Sequence, residues 1–441
     1  MKRSFADIMA GLDSERAQKV ARKLPAWSAV DGIEIPSALS LEQCSSSATA
    51  RYKALVAGQV AAAARSGQLP PETSGCAGPL PSDDGPLPLT MPRVARFPGA
   101  VPASVPLATI LDLTGGLGVD SWALSQVAER VVYFERNEEL AAAAGRNFQR
   151  LGAGNIDVRC ETVTPQTELP EADLIYADPA RRDAAGRKVF LLEDCTPDIL
   201  TLLPMLLRKA PAVLVKLSPM ADLAMLAERF GPALREIHVV ECDGEVKELL
   251  CLLLRDNSSP EPDILVVRLS GQAAGGDILR FRMAEERAAE VRFAAEVRPG
   301  DVLLEPCPAL LKAGAFRLPC ARWGLQKLAP STHLYLLPGA ETAPSAPGNP
   351  FFPSPGAETA PSAPGSRFFK AWRIAEVLPL GAAAFKALKQ RYPHADVTAR
   401  NLPLGSAELQ KRLGVASGGD VHIFGCRLAD SSPVLLVTEP V

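Results

Sequence analysis

The segment from Leu111 to Asp120, which reads Leu-Asp-Leu-Thr-Gly-Gly-Leu-Gly-Val-Asp, most constrains how this chain can fold. An apolar run that ends at Asp112 predicts a strand, and Gly115, Gly116 and Gly118 predict a tight turn before a helix. Because glycines let a ligand approach the backbone closely, we expect a ligand over this turn. A plain strand-to-helix turn is the alternative. Asp120 is expected to cap the helix.

The chain after residue 107 alternates short apolar runs with helical stretches, which predicts an α/β fold with a parallel sheet. A Gly-containing turn at Asp243 and Gly244 separates the last two runs, which are therefore expected to form an antiparallel hairpin. The candidate strands are 109–113, 131–135, 156–159, 173–177, 212–216, 236–241 and 248–254.

The length of 441 residues exceeds that of one ordinary domain, so we expect several. Residues 338–348 recur as 355–365, and this tandem repeat has the composition of a disordered linker. The expected divisions are 1–106, an N-terminal helical region with a Pro/Gly-rich connection; 107–256, the parallel-sheet domain; 257–337, a small α+β domain; 338–366, the linker; and 367–441, a second small domain.

Two acidic residues indicate what the ligand over the glycine turn contains. Glu135 ends the second strand, 23 positions after Asp112, where an acidic side chain in a doubly wound fold binds the two hydroxyls of a ribose. Glu161 follows the third strand, where a contact to an adenine ring is expected. A solvated strand end is the alternative for Glu135. The glycine spacing does not match the dinucleotide fingerprint, so a pyrophosphate is not specifically indicated.

The fourth and fifth strands end in residues suited to a substrate. Asp178-Pro179-Ala180-Arg181-Arg182 places an acid, a rigid proline and two guanidinium groups at the carboxyl edge of the sheet. Carbonyls of such a turn could orient an amine, and Arg181 and Arg182 could bind phosphate or carboxylate. A charged surface turn is the alternative. Lys216 could contact an anionic substrate or pair with a neighbouring acid.

Composition excludes several classes of protein and leaves others open. No apolar segment follows the basic N-terminus and none reaches the length of a membrane span, so a cytoplasmic protein without a membrane partner is expected. Nine scattered cysteines and four separated histidines give no metal-binding pattern, and no metal is expected. The net charge of −3 does not favour nucleic acid, although residues 367–441 contain ten basic and six acidic side chains. No protein partner can be inferred.

These motifs, together with Glu135-Arg136-Asn137 and the run from Lys216 to Met220, resemble the bacterial class I methyltransferases that carry a C-terminal THUMP-like domain. The segment from Glu42 to Ala54 resembles their N-terminal helical element. Residues 311–316 resemble their small ferredoxin-like domain, and residues 401–404 and 418–420 resemble the THUMP-like end.

The resemblance implies a Rossmann-like, seven-stranded sheet, S-adenosylmethionine as cofactor, and RNA as the substrate bound through the C-terminal domain. The implied cofactor residues are Asp112, Thr114, Gly115, Gly116, Gly118, Asp120, Glu135, Arg136, Asn137, Glu161 and Asp178. The implied catalytic residues are Asp178, Pro179, Ala180 and Arg181, and the implied substrate-binding residues are Arg181, Arg182 and Lys216.

Methylation of a base amino group is one possibility, because related guanine-N2 methyltransferases have an Asp-Pro-Pro motif after the fourth strand. Here Ala180 replaces the second proline, which removes one rigid element from that motif. Two other functions are compatible with the residues: a non-catalytic RNA-binding module with this fold, and a nicotinamide-dependent oxidoreductase.

Overall fold

The computed structural model describes residues 15–66, 107–180, 195–269, 276–338 and 366–441. The chain divides into two compact units, Met1–Arg280 and Phe281–Val441. The predicted substrate-binding residues Arg181 and Arg182 lie outside the described residues, as do the Pro/Gly-rich connection at 67–106 and nearly all of the predicted linker.

The first unit begins with helices that pack on the sheet that follows. A capping box between Ser37 and Ser40 starts the third helix, because each side chain accepts a hydrogen bond from the backbone of the other residue. Trp27, Leu41 and Ala54 from these helices are buried against the first helix of the α/β region. The helices are α1 (residues 15–23), α2 (Pro25–Ser28), α3 (Ala38–Gln43) and α4 (Ser47–Ser66).

Nine strands of the described chain form one sheet in the order β3-β2-β1-β4-β5-β7-β6-β8-β9. The first five strands in that order are parallel, and β7 is antiparallel to both β5 and β6. The strands are β1 (Leu107–Asp112), β2 (Ala128–Phe134), β3 (Ile156–Arg159), β4 (Leu174–Ala177), β5 (Ala212–Leu217), β6 (Leu234–Cys242), β7 (Glu245–Leu254), β8 (Asp263–Leu269) and β9 (Gly276–Arg282).

In the described part of the chain four α-helices connect these strands, and local sequence sets where three of them begin. Asn137, Asp198 and Asp222 occupy the N-cap positions, and each side chain accepts hydrogen bonds from backbone N–H groups in the first helical turn. The helices are α5 (Val119–Leu124), α6 (Glu138–Arg150), α7 (Ile199–Lys209) and α8 (Leu223–Phe230).

The predicted α/β fold is confirmed, with all seven expected strands present in the first seven positions of the sheet. Asp243 and Gly244 both have positive φ, 54° and 77°, which is the conformation of a tight hairpin turn between β6 and β7. The sheet also contains β8 and β9, which extend it beyond residue 256. The boundary between the two compact units falls inside β9, between Arg280 and Phe281.

The second unit contains an eight-stranded sheet in the order β10-β12-β13-β11-β14-β17-β16-β15. One face carries a core that includes Leu303, Trp372 and Phe424, and the other packs against the last two helices through Leu388, Leu409 and neighbours. The strands are β10 (Arg292–Phe293), β11 (Val302–Pro306), β12 (Gln326–Ala329), β13 (Thr332–Leu336), β14 (Phe369–Pro379), β15 (Asp396–Arg400), β16 (His422–Arg427) and β17 (Pro433–Pro440). The helices are α9 (Met283–Ala288), α10 (Pro308–Lys312), α11 (Leu318–Trp323), α12 (Ala382–Arg391) and α13 (Ser406–Leu413).

Within the described residues, none of the helices combines the length and the apolar character that crossing a membrane requires.

Candidate functional site

The glycine turn after β1 is closely packed, and two of its glycines are sterically required. A Cβ atom on Gly115 would lie 2.0 Å from the ring of Tyr133. Gly118 has φ of 90°, and a Cβ atom there would lie 2.5 Å from the ring of Phe148. The Gly115 N–H donates to the carbonyl of Phe134 at 2.8 Å, which fixes the turn against the end of β2. The turn therefore presents its backbone at the carboxyl edge of the sheet.

Asp112 holds this turn together from beneath. Its carboxylate accepts hydrogen bonds from the Thr114 N–H at 3.0 Å and from the Ser121 hydroxyl at 2.5 Å. The side chain is buried, and burial raises the pKa of the Asp112 carboxyl to about 7. Asp112 thus ties the turn to α5, and this contact explains why an acid is needed at the end of β1.

Glu135 lies just beyond β2 and is only partly buried. One carboxylate oxygen accepts from the Gly116 N–H at 2.9 Å, and the other accepts from the Asn137 N–H at 2.8 Å. Since a carboxylate has about four acceptor positions, one position remains on each oxygen. The described residues donate no further hydrogen bond to it. Glu135 can therefore accept two more donors while staying fixed by the backbone.

The neighbours of Glu135 have different surroundings. Asn137 accepts a hydrogen bond from the Leu140 N–H at 2.9 Å and is the N-cap of α6, so its amide oxygen has a structural partner. Arg136 and Glu161 are exposed. The Glu161 N–H donates to the Glu135 carbonyl at 3.1 Å, which places Glu161 next to Glu135 at the edge of the sheet.

The corner after β4 is fixed at two points. The Asp178 N–H donates to the Thr114 hydroxyl oxygen at 2.6 Å, and the Lys216 ammonium donates to one Asp178 carboxylate oxygen at 2.5 Å. The other carboxylate oxygen has no hydrogen-bond partner among the described residues. Pro179 is buried, and Ala180 is exposed and pairs with Thr196 through two backbone hydrogen bonds. The corner therefore presents one free carboxylate oxygen held in place.

Of the two roles considered for Lys216, the structure shows pairing with an acid. Burial by itself lowers the pKa of the Lys216 ammonium, but the carboxylates of Asp178, Glu248 and Asp120 raise it above its ordinary value. Lys216 therefore stays charged throughout the neutral range and orients Asp178.

The expectation that Asp120 caps α5 is wrong. Its carboxylate is buried and accepts hydrogen bonds from Ser45 at 2.8 Å, Lys53 at 3.0 Å and the Tyr176 hydroxyl at 2.8 Å. The reason is that Lys53, from α4, is completely buried and needs carboxylate partners. Asp120 therefore belongs to a buried cluster beneath the site.

Lys53 and Glu248 complete that cluster, and sequence reasoning gave neither of them a role. The Lys53 ammonium lies 3.1 Å from one oxygen of Glu248 on β7, whose other oxygen has no hydrogen-bond partner among the described residues. A signal existed in each case: Lys53 interrupts an apolar helical stretch, and Glu248 precedes six consecutive apolar residues. A charge in a buried segment indicates a buried partner.

Among the described residues, no group of His, Cys, Asp and Glu side chains is arranged to hold a metal ion.

Comparisons with known proteins identify families and structures that this chain resembles. Family models described as a ferredoxin-like domain and as THUMP domain-like match residues 303–339 and 369–440. A protein from Porphyromonas gingivalis W83, whose crystal structure is described as that of a methyltransferase, is 30% identical to this chain. The match has a TM-score of 0.70 and covers 97% of this chain and 88% of the other. No curated protein matches the chain by sequence.

Two further structures match only part of the chain. An rRNA methylase from Streptococcus thermophilus has 13% identity and a TM-score of 0.26 over 33% of this chain and 86% of its own. The Streptococcus mutans protein SMU.1697c, in complex with SAH, has 11% identity and a TM-score of 0.26 over 33% of this chain and 88% of its own. At these scores neither adds to the assignment.

The Porphyromonas gingivalis match covers nearly the whole chain, and the two domain models match the second unit where the resemblance predicted them. The chain therefore belongs to the class I S-adenosylmethionine-dependent methyltransferase family that carries a ferredoxin-like and a C-terminal THUMP-like domain.

Proposed function

We propose that this protein binds S-adenosylmethionine and methylates RNA, with a base amino group as the acceptor. The observation that carries the cofactor assignment is Glu135, whose two carboxylate oxygens each keep one acceptor position after binding a backbone N–H. Two vicinal ribose hydroxyls are two adjacent donors and match this arrangement. Family membership supports the same cofactor.

The residues around Glu135 fit the rest of such a cofactor. Gly115, Gly116 and Gly118 bring the backbone to the edge of the sheet, and Glu161 lies beside Glu135, where we propose that it contacts the adenine ring. S-adenosylmethionine supplies an electrophilic methyl group when bound. Asp112 and Asn137 support the site from within, since their side chains are bonded to the turn and to the start of α6.

Asp178 is the proposed acceptor-binding residue. Its free carboxylate oxygen can accept a hydrogen bond from an exocyclic amine, while Thr114 and Lys216 fix its backbone and its other oxygen. Holding the amine in one orientation directs the nitrogen lone pair, and such positioning accounts for a large part of many rate enhancements. Pro179, Ala180 and Arg181 are proposed to take part in catalysis, and Arg181 and Arg182 to bind the substrate. An RNA acceptor is supported by the THUMP-like domain.

Calorimetric titration with S-adenosylhomocysteine tests the cofactor site. Glu135→Gln keeps the size of the side chain but removes the charge, so affinity should fall by about 1.5–3 kcal/mol, or roughly 10- to 150-fold. Glu129→Gln, on the exposed amino end of the same strand, is the matched control and should bind as the unmodified protein does. Equal binding by both variants would contradict the assignment of Glu135.

The acceptor is tested by mass spectrometry of nucleosides in RNA from cells with and without the gene. Loss of one methylated nucleoside, restored by the unmodified gene but not by Asp178→Asn, is the expected result. Unchanged RNA in the presence of measurable cofactor binding would reject RNA as the acceptor while leaving the cofactor site intact.

A further inference from the structure

Among residues 367–441, most basic side chains form ion pairs, donate to backbone carbonyls or lie on the two helices. Arg391 and Arg412 form ion pairs with Glu376 and Glu408. Arg373 and Arg427 donate to backbone carbonyls of Gly300 and Ser431. Lys370 on β14 and Arg400 on β15 differ, because within the described residues Lys370 forms no ion pair and the single hydrogen bond of the Arg400 guanidinium goes to Glu305.

Lys370, Arg400 and Glu305 lie on three different strands of the second sheet, and Glu305 links the other two. Glu305 on β11 lies directly opposite Lys370 on the neighbouring strand β14. Three strands separate β11 from β15, yet the Arg400 guanidinium of β15 lies 3.3 Å from Glu305. Glu305 is therefore opposite Lys370 in the register of the sheet and is paired with Arg400 from a more distant strand.

Glu305 is already occupied on both oxygens. One oxygen accepts from the Trp372 indole N–H at 3.3 Å, and the other accepts from Arg400 at 3.3 Å. Lys370 does not form the cross-strand ion pair that its register would allow. Its ammonium lies 3.9 Å from the centre of the Trp372 ring, in a cation–π contact. The Arg400 guanidinium is thus paired with Glu305, whereas the Lys370 ammonium forms no ion pair among the described residues.

Both cations have hydrogen-bond donors to spare. A guanidinium has five N–H donors, and in the described part of the chain only the bond to Glu305 uses one of them. The Arg400 Nε atom is buried without a hydrogen-bond partner there, although 32% of the side chain is exposed. The Lys370 ammonium has no hydrogen-bond partner among the described residues, and Lys370 is exposed. An anion could therefore reach both groups.

We propose that Lys370 and Arg400 bind the phosphodiester backbone of the RNA, with Glu305 holding Arg400 in place in its absence. A phosphate offers oxygens that a guanidinium binds in bidentate fashion and that an ammonium binds as a point charge. Trp372 and Glu305 restrict both side chains, so less conformational entropy is lost on binding than for free surface lysines. This inference rests on the proposed RNA acceptor.

Fluorescence anisotropy of the full chain with labelled poly(U), measured over a series of salt concentrations, tests the site. Each phosphate contact contributes about 0.7–0.9 to the slope of log affinity against log salt. Lys370→Ala combined with Arg400→Ala should therefore lower that slope by roughly 1.5. The matched control combines Lys386→Ala with Lys411→Ala, which removes the same charge from exposed positions on α12 and α13 and should leave the slope unchanged.

Glu305→Gln is expected to change the affinity for poly(U) in the opposite direction. It removes the competing negative charge but keeps an acceptor for the Trp372 N–H, so binding of poly(U) should tighten several-fold. A mere folding defect would weaken binding, and thermal melting of each variant verifies the fold.

The proposal is overturned if the double variant and its control have equal slopes, if Glu305→Gln does not tighten binding, or if the unmodified protein does not bind poly(U). Titration with S-adenosylhomocysteine is independent of these residues. If any of these outcomes is found while S-adenosylhomocysteine binds normally, the proposed role of Lys370 and Arg400 fails. The proposed cofactor site at Glu135 then still stands.

Discussion

Replacing Lys53 by methionine tests how the buried charges beneath the site stabilise the first unit. The Lys53 side chain is completely buried and contacts Ser45 at 2.7 Å, Asp120 at 3.0 Å and Glu248 at 3.1 Å. Methionine is of similar length and is apolar, so Lys53→Met removes the charge with little change in packing. Two buried carboxylates would then face no ammonium at this position.

The expected loss follows from what remains after the substitution. Removing one partner of a buried ion pair typically costs about 3–5 kcal/mol, because the other charge stays buried without compensation. For a domain of this size, a change of that magnitude lowers the melting temperature by on the order of 10 °C. The destabilisation should be smaller at acidic pH, where Asp120 and Glu248 can take up protons in the variant.

Differential scanning calorimetry at neutral and acidic pH measures this effect. Lys19→Met is the control, because it removes an exposed lysine whose pair with Glu42 is worth about 0–1 kcal/mol. Adding Glu248→Gln to Lys53→Met should restore part of the stability, since one uncompensated carboxylate is removed. If Lys53→Met costs no more than Lys19→Met, the buried cluster does not stabilise the fold as argued.

Two further substitutions test packing and titration. Gly115→Ala places a Cβ atom 2.0 Å from the Tyr133 ring and should weaken binding of S-adenosylhomocysteine by at least tenfold in calorimetry. The control Gly154→Ala, whose Cβ atom would have no atom within 4 Å, should not weaken it. Equal affinities of the two variants would refute the steric argument. Burial raises the pKa of the Glu236 carboxyl, but the hydrogen bond from His238 and the charge of Arg280 lower it to about 2. Because the folded pKa lies below the ordinary value of 4.5, the resulting stability of roughly 3 kcal/mol should be present above about pH 4.5 and lost as the pH falls towards 2. In urea titrations the difference between the unmodified protein and Glu236→Gln should therefore shrink over that range, and a constant difference would contradict the pKa assignment.

The sequence was sufficient to predict those parts of the fold that depend on local patterns. The alternation of apolar runs gave the strands, and Asp243-Gly244 gave the hairpin, because only a few residues adopt positive φ readily. The glycine turn and the strand-end positions of Glu135 and Asp178 followed from the same patterns, since the carboxyl ends of parallel strands meet at one edge.

Contacts between distant segments could not be predicted in this way. Ser45 and Asp120 are 75 positions apart, and Lys53 and Glu248 are further apart still. Asp120 was expected to bond to its own helix because short acidic side chains at a helix start usually do so. The buried ammonium of Lys53 overrides that preference, and nothing near Asp120 in the sequence indicates it.

The N-terminal helix α4 contributes to the proposed site through Lys53, in addition to packing on the sheet. The ammonium of Lys216 holds Asp178, and its charge is maintained by Asp178, Glu248 and Asp120 together. Lys53 from α4 shares two of those three carboxylates. Without Lys53, Glu248 and Asp120 would attract Lys216 more strongly and compete with Asp178 for its ammonium. The geometry of the acceptor corner after β4 is therefore set in part by a helix that precedes the whole sheet.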